Sequence, residues 1–146
     1  MEKTIVGHKT FWRVIYPSVI VLLIVHAFGV MNNLYNLISW FDVPLHFLWG
    51  FVGALVFYWL AYRFPGYINV EKNFLVSLVM VLSWVALGGV IWEFSEFIYD
   101  LMVYAKGFSA SPVQFSIDDT IGDLAFDLFG ATIMAVIMRL SYHKNI

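Results

Sequence analysis

Four apolar runs, each about 20 residues long and separated by short polar breaks, occupy nearly all of a chain of 146 residues. A helix needs ~20 residues to cross a hydrocarbon layer of ~30 Å. Backbone N–H and C=O groups find no partner in hydrocarbon, so a run of this kind crosses as a helix that satisfies its own backbone. The expected fold is therefore all-α: an integral membrane four-helix bundle, one transmembrane domain over residues 1–146, with spans of about 12–31, 43–62, 74–104 and 119–140. With 62% apolar and 12% charged residues, a soluble domain is excluded as the expectation. The run that follows Met1–Lys9 has no small-residue cleavage site and is long enough to span, so it is expected to stay as the first helix. The absence of cysteine removes disulfides and thiolate metal sites.

Local signals place the breaks. The first span is interrupted only by His26 and ends at Asn32-Asn33, before a short loop through Trp40. Asp42-Val43-Pro44 opens the second, where Asp suits an N-cap and Pro the first turn, and Arg63-Phe64-Pro65-Gly66 closes it. The third continues beyond Trp92 through Glu93, Glu96 and Asp100, and Asp118 or Asp119 is a candidate cap for the fourth. Trp12, Trp40, Trp59, Tyr16, Tyr58, Tyr62 and Tyr99 suit interfacial belts. Gly50, Gly53, Ala54, Gly88, Gly89, Gly130, Ala131 and Ala135 offer small faces on which helices two, three and four can meet closely.

Antiparallel spans sort the charges by side. Lys3, Lys9, Arg13, Arg63, Lys72, Arg139 and Lys144 share one side and Lys106 alone the other, which makes the first side cytoplasmic by the positive-inside rule. Both termini are thus expected in the cytoplasm, in a multi-pass protein of the inner (plasma) membrane. Glu2 and Glu71 fall inside, whereas Asp42, Glu93, Glu96, Asp100, Asp118, Asp119, Asp123 and Asp127 gather in the outer half.

Residues three or four apart share a helix face. Asp42 pairs with His46, Glu93 with Glu96 and Asp100, and Asp119 with Asp123 and Asp127. A carboxylate within a span costs ~2.5–3.5 kcal/mol on insertion scales and turns to the bundle interior. The stripes should converge. Basic partners in that half are limited to Lys106 and the histidines, so three readings stay open: a bound divalent cation, a protonated relay or ion path, and a structural hydrogen-bond network. Carboxylates with one or two imidazoles suit Mg, Mn, Fe or Zn. The metal-ligand candidates are His46, Glu93, Glu96, Asp123 and Asp127, with Asp42 or Asp119 orienting His46 or acting as general base.

The segments Asp42-Val-Pro-Leu-His46-Phe-Leu-Trp-Gly50-Phe, Trp92-Glu93-Phe-Ser-Glu96 and Asp119-Thr120-Ile-Gly-Asp123-Leu-Ala-Phe-Asp127-Leu-Phe-Gly130-Ala131 resemble uncharacterised bacterial inner-membrane proteins of the YjdF type. The teicoplanin-resistance VanZ proteins are a more distant look-alike. The resemblance covers roughly residues 40 to 135 and picks out Asp42, His46, Gly50, Glu93, Glu96, Asp119, Asp123 and Gly130. It implies a membrane family and no particular reaction.

The leading expectation is a small membrane protein that binds a divalent metal in an outward-facing carboxylate/His cluster. As an enzyme it would use metal-activated water on a lipid or lipid-linked substrate. The alternatives are a cation or proton transporter, and a non-catalytic subunit of a larger membrane complex. The bilayer is the expected partner, with either a second copy or other membrane subunits beside it. No phosphate loop, Ser-His-Asp order or basic patch for nucleic acid is present.

Overall fold

The computed structural model describes residues 8–70, 72–107, 113 and 116–143. Their regular structure is entirely helical, with α1 over His8–Met31, α2 over Leu34–Leu37, α3 over Val43–Arg63, α4 over Phe74–Ala105 and α5 over Ile117–His143. Four of the five, all but α2, are long and apolar enough to cross a membrane. Their outward faces carry Ile24, Phe28, Leu75, Val79, Ile91, Phe94 and Phe129, each about half exposed or more. In water such faces would be a large apolar patch. In a bilayer they meet lipid chains. Of the charges used to orient the chain, Glu2, Lys3, Glu71 and Lys144 lie outside the described residues.

Helix α3 is central: it packs against α1, α4 and α5, and its contact with α5 is the most extensive in the protein. Two glycines permit that closeness. A Cβ built on Gly50 would run into the Asp127 carbonyl, and one on Gly130 would run into the carbonyl of Phe47. The two backbones therefore touch where α3 and α5 cross, a mode of contact common between membrane helices. Below the crossing Val81, Val85, Ala54, Ala131 and Ala135 form a core from which solvent is fully excluded.

Three local readings change. Helix α5 begins at Ile117, and its cap is Ser116: the Ser116 hydroxyl accepts a hydrogen bond from the Asp119 N–H at 3.2 Å, so neither Asp118 nor Asp119 is the cap. Tyr58 is buried in the core at 3% exposure and does not belong to an interfacial belt, while Trp40, Tyr16 and Tyr99 are exposed. The loop after α1 contains the short helix α2. Asn33 starts it from the left-handed region (φ 58°), a conformation that Asn tolerates better than most residues. That turn buries Tyr35 against the end of α1, where its hydroxyl lies 2.6 Å from His26 Nδ1.

Candidate metal centre

Three helix segments meet at one end of the bundle: the start of α3, the second half of α4 and the start of α5. Asp42 precedes α3 with Pro44 in the first turn, and the backbone N–H groups of Leu45 and His46 both donate to the Asp42 carbonyl. Its side chain makes no capping bond. The carboxylate, in a residue only 6% exposed, is turned to the interior instead. His46 follows one turn later on the same face, Glu93 and Glu96 stand three apart on α4, and Asp123 and Asp127 stand four apart on α5; all five are buried. The expected convergence is present.

Within the cluster, one ligand atom each from Asp42, His46 and Asp123 lie within 4.8 Å of one another. Ligand atoms bound at ~2.0–2.2 Å to one small divalent ion stand up to roughly 4.4 Å apart, so the three are near the spacing at which they could hold one. Oxygen donors with one imidazole nitrogen are the set expected for Mn, Fe, Zn or Mg.

The histidine ring is fixed through one of its nitrogens. Its Nδ1 is 3.1 Å from Asp127 Oδ1, and Asp127 is completely buried. Room for the Asp127 carboxylate comes from Gly89 on α4, where a Cβ would meet Oδ2. With Nδ1 engaged, His46 Nε2 makes no hydrogen bond and stands 3.7 Å from Glu93 Oε1. A buried nitrogen facing carboxylates without a hydrogen bond is costly unless another group meets it. A carboxylate on one ring nitrogen that presents the other is also the arrangement that orients metal-bound histidines.

Neighbouring groups fix the α4 carboxylates. Thr120 Oγ1 donates to Glu93 Oε2 at 2.8 Å, and Trp92 Nε1 donates to Glu96 Oε1 at 3.0 Å. The Trp92 ring in turn packs edge-on against His26, 4.7 Å between centroids. Burial, and next the charge of Asp119, push the Asp42 carboxyl above the ordinary carboxylate pKa. The Tyr35 phenol is pushed up by burial first and then by Glu96, Asp42 and Asp123, so it remains neutral at any physiological pH.

Roles inside the cluster differ from the sequence expectation at several positions. Asp127, not Asp42 or Asp119, makes the hydrogen bond to His46, while Asp42 joins His46 and Asp123 in the group at ligand spacing. Asp119 is half-buried in the first turn of α5, and Asp118 is exposed. Asp100, expected on the same face as Glu93 and Glu96, accepts the Val113 N–H on both oxygens at 2.9 and 3.0 Å and ties the α4–α5 connection to α4. Trp92, Thr120 and Tyr35 were missed as site residues. Trp92 and Thr120 carry a readable signal, being four and three residues before Glu96 and Asp123 on the same helix faces. Tyr35 carries none, because its place depends on the turn at Asn33.

Neither a curated protein nor a solved structure matches the chain. One family model does, described as a predicted membrane protein family (DUF2238), and it matches residues 7–145. Covering almost the whole sequence, this match shows that the chain belongs to the DUF2238 family of predicted membrane proteins.

Proposed function

We propose that this protein binds one divalent cation at the Asp42–His46–Asp123 group and uses it, at the outer face of the inner membrane, on a lipid or lipid-linked substrate. The observation that carries the reading is His46: a buried ring fixed through Nδ1 by Asp127, whose Nε2 makes no hydrogen bond and faces carboxylates. The outward orientation, with both termini cytoplasmic, rests on the seven-to-one distribution of Lys and Arg. The likeness to YjdF-type and, more distantly, VanZ proteins belongs to the same reading.

In this scheme His46, Asp42 and Asp123 hold the ion, and Asp127 keeps the ring in register. Glu93, steadied by Thr120, is the further oxygen ligand nearest His46 Nε2, and Glu96 is steadied by Trp92. A divalent ion bound there supplies a Lewis acid and a water of lowered pKa. Asp119, half-buried in the first turn of α5, is the residue that would take up a proton in this scheme. Binding is favoured over conduction because, among the described residues, every buried carboxylate and imidazole lies at this one end of the bundle, and the buried hydroxyls elsewhere in the spans are those of Ser77 and Tyr58.

Thermal unfolding of the purified protein in detergent, with and without a chelator, tests the reading. A ligand that binds only the folded state at 100 times its Kd adds ~2.7 kcal/mol of stability. Chelation should therefore lower the melting temperature by several degrees, and re-addition of Mn or Zn should restore it. An unchanged melting temperature under stringent chelation counts against a bound cation.

A further inference from the structure

Helices α1 and α4 both pack on α3, but their backbones make no contact with each other among the described residues. The gap between them is a groove of about 350 Å³ whose floor is α3. Its volume is that of a small-molecule site. At one end are Asp42, His46 and Tyr35, the polar residues of the candidate centre, with Leu45 in the same turn of α3; away from it the walls are apolar, with Leu22 and Val19 from α1, Val52 from α3 and Ile91 from α4. On the α4 side Gly88 lets the Trp49 ring, which also lines the groove, lie directly against the helix, where a Cβ would meet it. At the mouth Leu23 and Ile91 are 52% and 57% exposed on helices apolar and long enough to span, so the opening is lateral, into the hydrocarbon layer.

The dimensions identify what fits. From Asp42 to Val52 the floor extends ~15 Å along α3. Spread over that length, a volume of about 350 Å³ has a mean cross-section of about 23 Å². Measured in the same way, as space open to the centre of a water molecule, a helix of ~10 Å diameter needs roughly 40 Å². No helix from a partner or a second copy fits, whereas a single hydrocarbon chain does. A water-soluble substrate would have to enter from lipid and lie against walls that return almost none of its hydrogen bonds.

We propose that this groove takes one acyl chain of a bilayer phospholipid, entering sideways between α1 and α4, and so brings the headgroup beside Asp42 and His46. This names the substrate class of the centre and rests on the metal-binding reading, in which the cation meets the headgroup phosphate. The walls themselves require only a chain.

The test uses the full chain in phosphatidylglycerol vesicles with a trace of phosphatidylglycerol carrying a diazirine midway along one acyl chain. After irradiation, adducts are mapped by peptide mass spectrometry. Lipid-facing Leu75 and Val79 should be labelled in any case. The groove predicts labelling also at Leu22, Leu45 and Val52, which are 8%, 9% and 1% exposed and reachable by a chain only from within. Ile91→Trp, which narrows the mouth, should reduce inner-wall labelling at least fivefold and leave Leu75 and Val79 unchanged; Leu23→Trp should do the same from the α1 side. Wild-type protein labelled only on its outward faces, or inner labelling indifferent to both mouth variants, overturns the proposal. Metal content measured on the same samples keeps the two readings apart: inner-wall labelling without metal leaves the chain site standing and removes the cation, and metal without inner-wall labelling does the reverse.

Discussion

Replacing Gly50 by Ala puts the α3–α5 crossing under direct test. The added Cβ would lie 2.7 Å from the Asp127 carbonyl carbon and 2.9 Å from its Cα, where ordinary contact begins at 3.4 Å. Both atoms are helix backbone, so no side chain can swing aside. Relieving the contact with the carbonyl carbon alone takes 0.7 Å, from 2.7 Å to 3.4 Å, and the carbonyl oxygen lies closer still, so the helices must part by more than that. His46 is one turn away on α3, and its 3.1 Å hydrogen bond to Asp127 spans the same crossing. An opening of that size lengthens that bond to about 3.8 Å or more, beyond useful hydrogen-bonding distance. Overpacking costs about 1–3 kcal/mol, and a buried bond to a charged group contributes about 1.5–3 kcal/mol. Against these stands about 1 kcal/mol of helix propensity gained from Gly to Ala. The net expectation is a loss of about 1.5–5 kcal/mol, read as a lower melting temperature in detergent together with weakened metal retention. Gly122→Ala is the matched control, because nothing lies within 4 Å of a Cβ there, and it should leave stability unchanged or raise it by up to about 1 kcal/mol. Gly50→Ala as stable as Gly122→Ala would refute the close crossing, and with it the geometry assigned to His46 and Asp127.

Three further outcomes are expected. Ser116→Ala should cost about 1 kcal/mol of stability through the lost α5 cap, while Asp118→Asn changes neither stability nor metal content; equal effects of the two in thermal unfolding would reject Ser116 as the cap. The raised pKa of Asp42 means that, without metal, the folded state binds this proton more tightly than the unfolded one. Its stabilising contribution is full at pH below the unfolded value and fades as pH rises through the raised folded value. Asp42→Asn should accordingly flatten the loss of stability of chelated protein with rising pH, and a pH profile identical to wild type would argue against the shift. For orientation, cysteines at Asn33 and Lys106 should react with an impermeant thiol reagent in intact cells and one at Lys144 should not; the reverse pattern overturns the outward-facing assignment.

Much of the candidate site can be read from spacing alone. Asp42 and His46, Glu93 and Glu96, and Asp123 and Asp127 are separated by three or four residues in strongly apolar helices, and burying a carboxylate in such a helix forces it toward other polar groups. The division of roles among them cannot be read in that way. Whether Asp127 or Asp42 meets the His46 ring depends on how deeply α5 settles against α3, and that is decided by Gly50, Gly89 and Gly130 acting between helices distant in sequence. The α5 cap was ambiguous because Ser116, Asp118 and Asp119 are all competent capping residues; the hydroxyl wins by lying three residues before the N–H that it accepts. Tyr35 and α2 were illegible, since their position follows from one backbone conformation at Asn33.

Elemental analysis of purified protein, per chain, shows whether a cation is held by the Asp42–His46–Asp123 group. Wild-type protein should carry close to one divalent ion, His46→Ala and Asp123→Asn should lose it while remaining folded, and Asp118→Asn should keep it. Wild-type protein without metal after purification in metal-containing buffer, or full metal content in both His46→Ala and Asp123→Asn, would contradict the assignment.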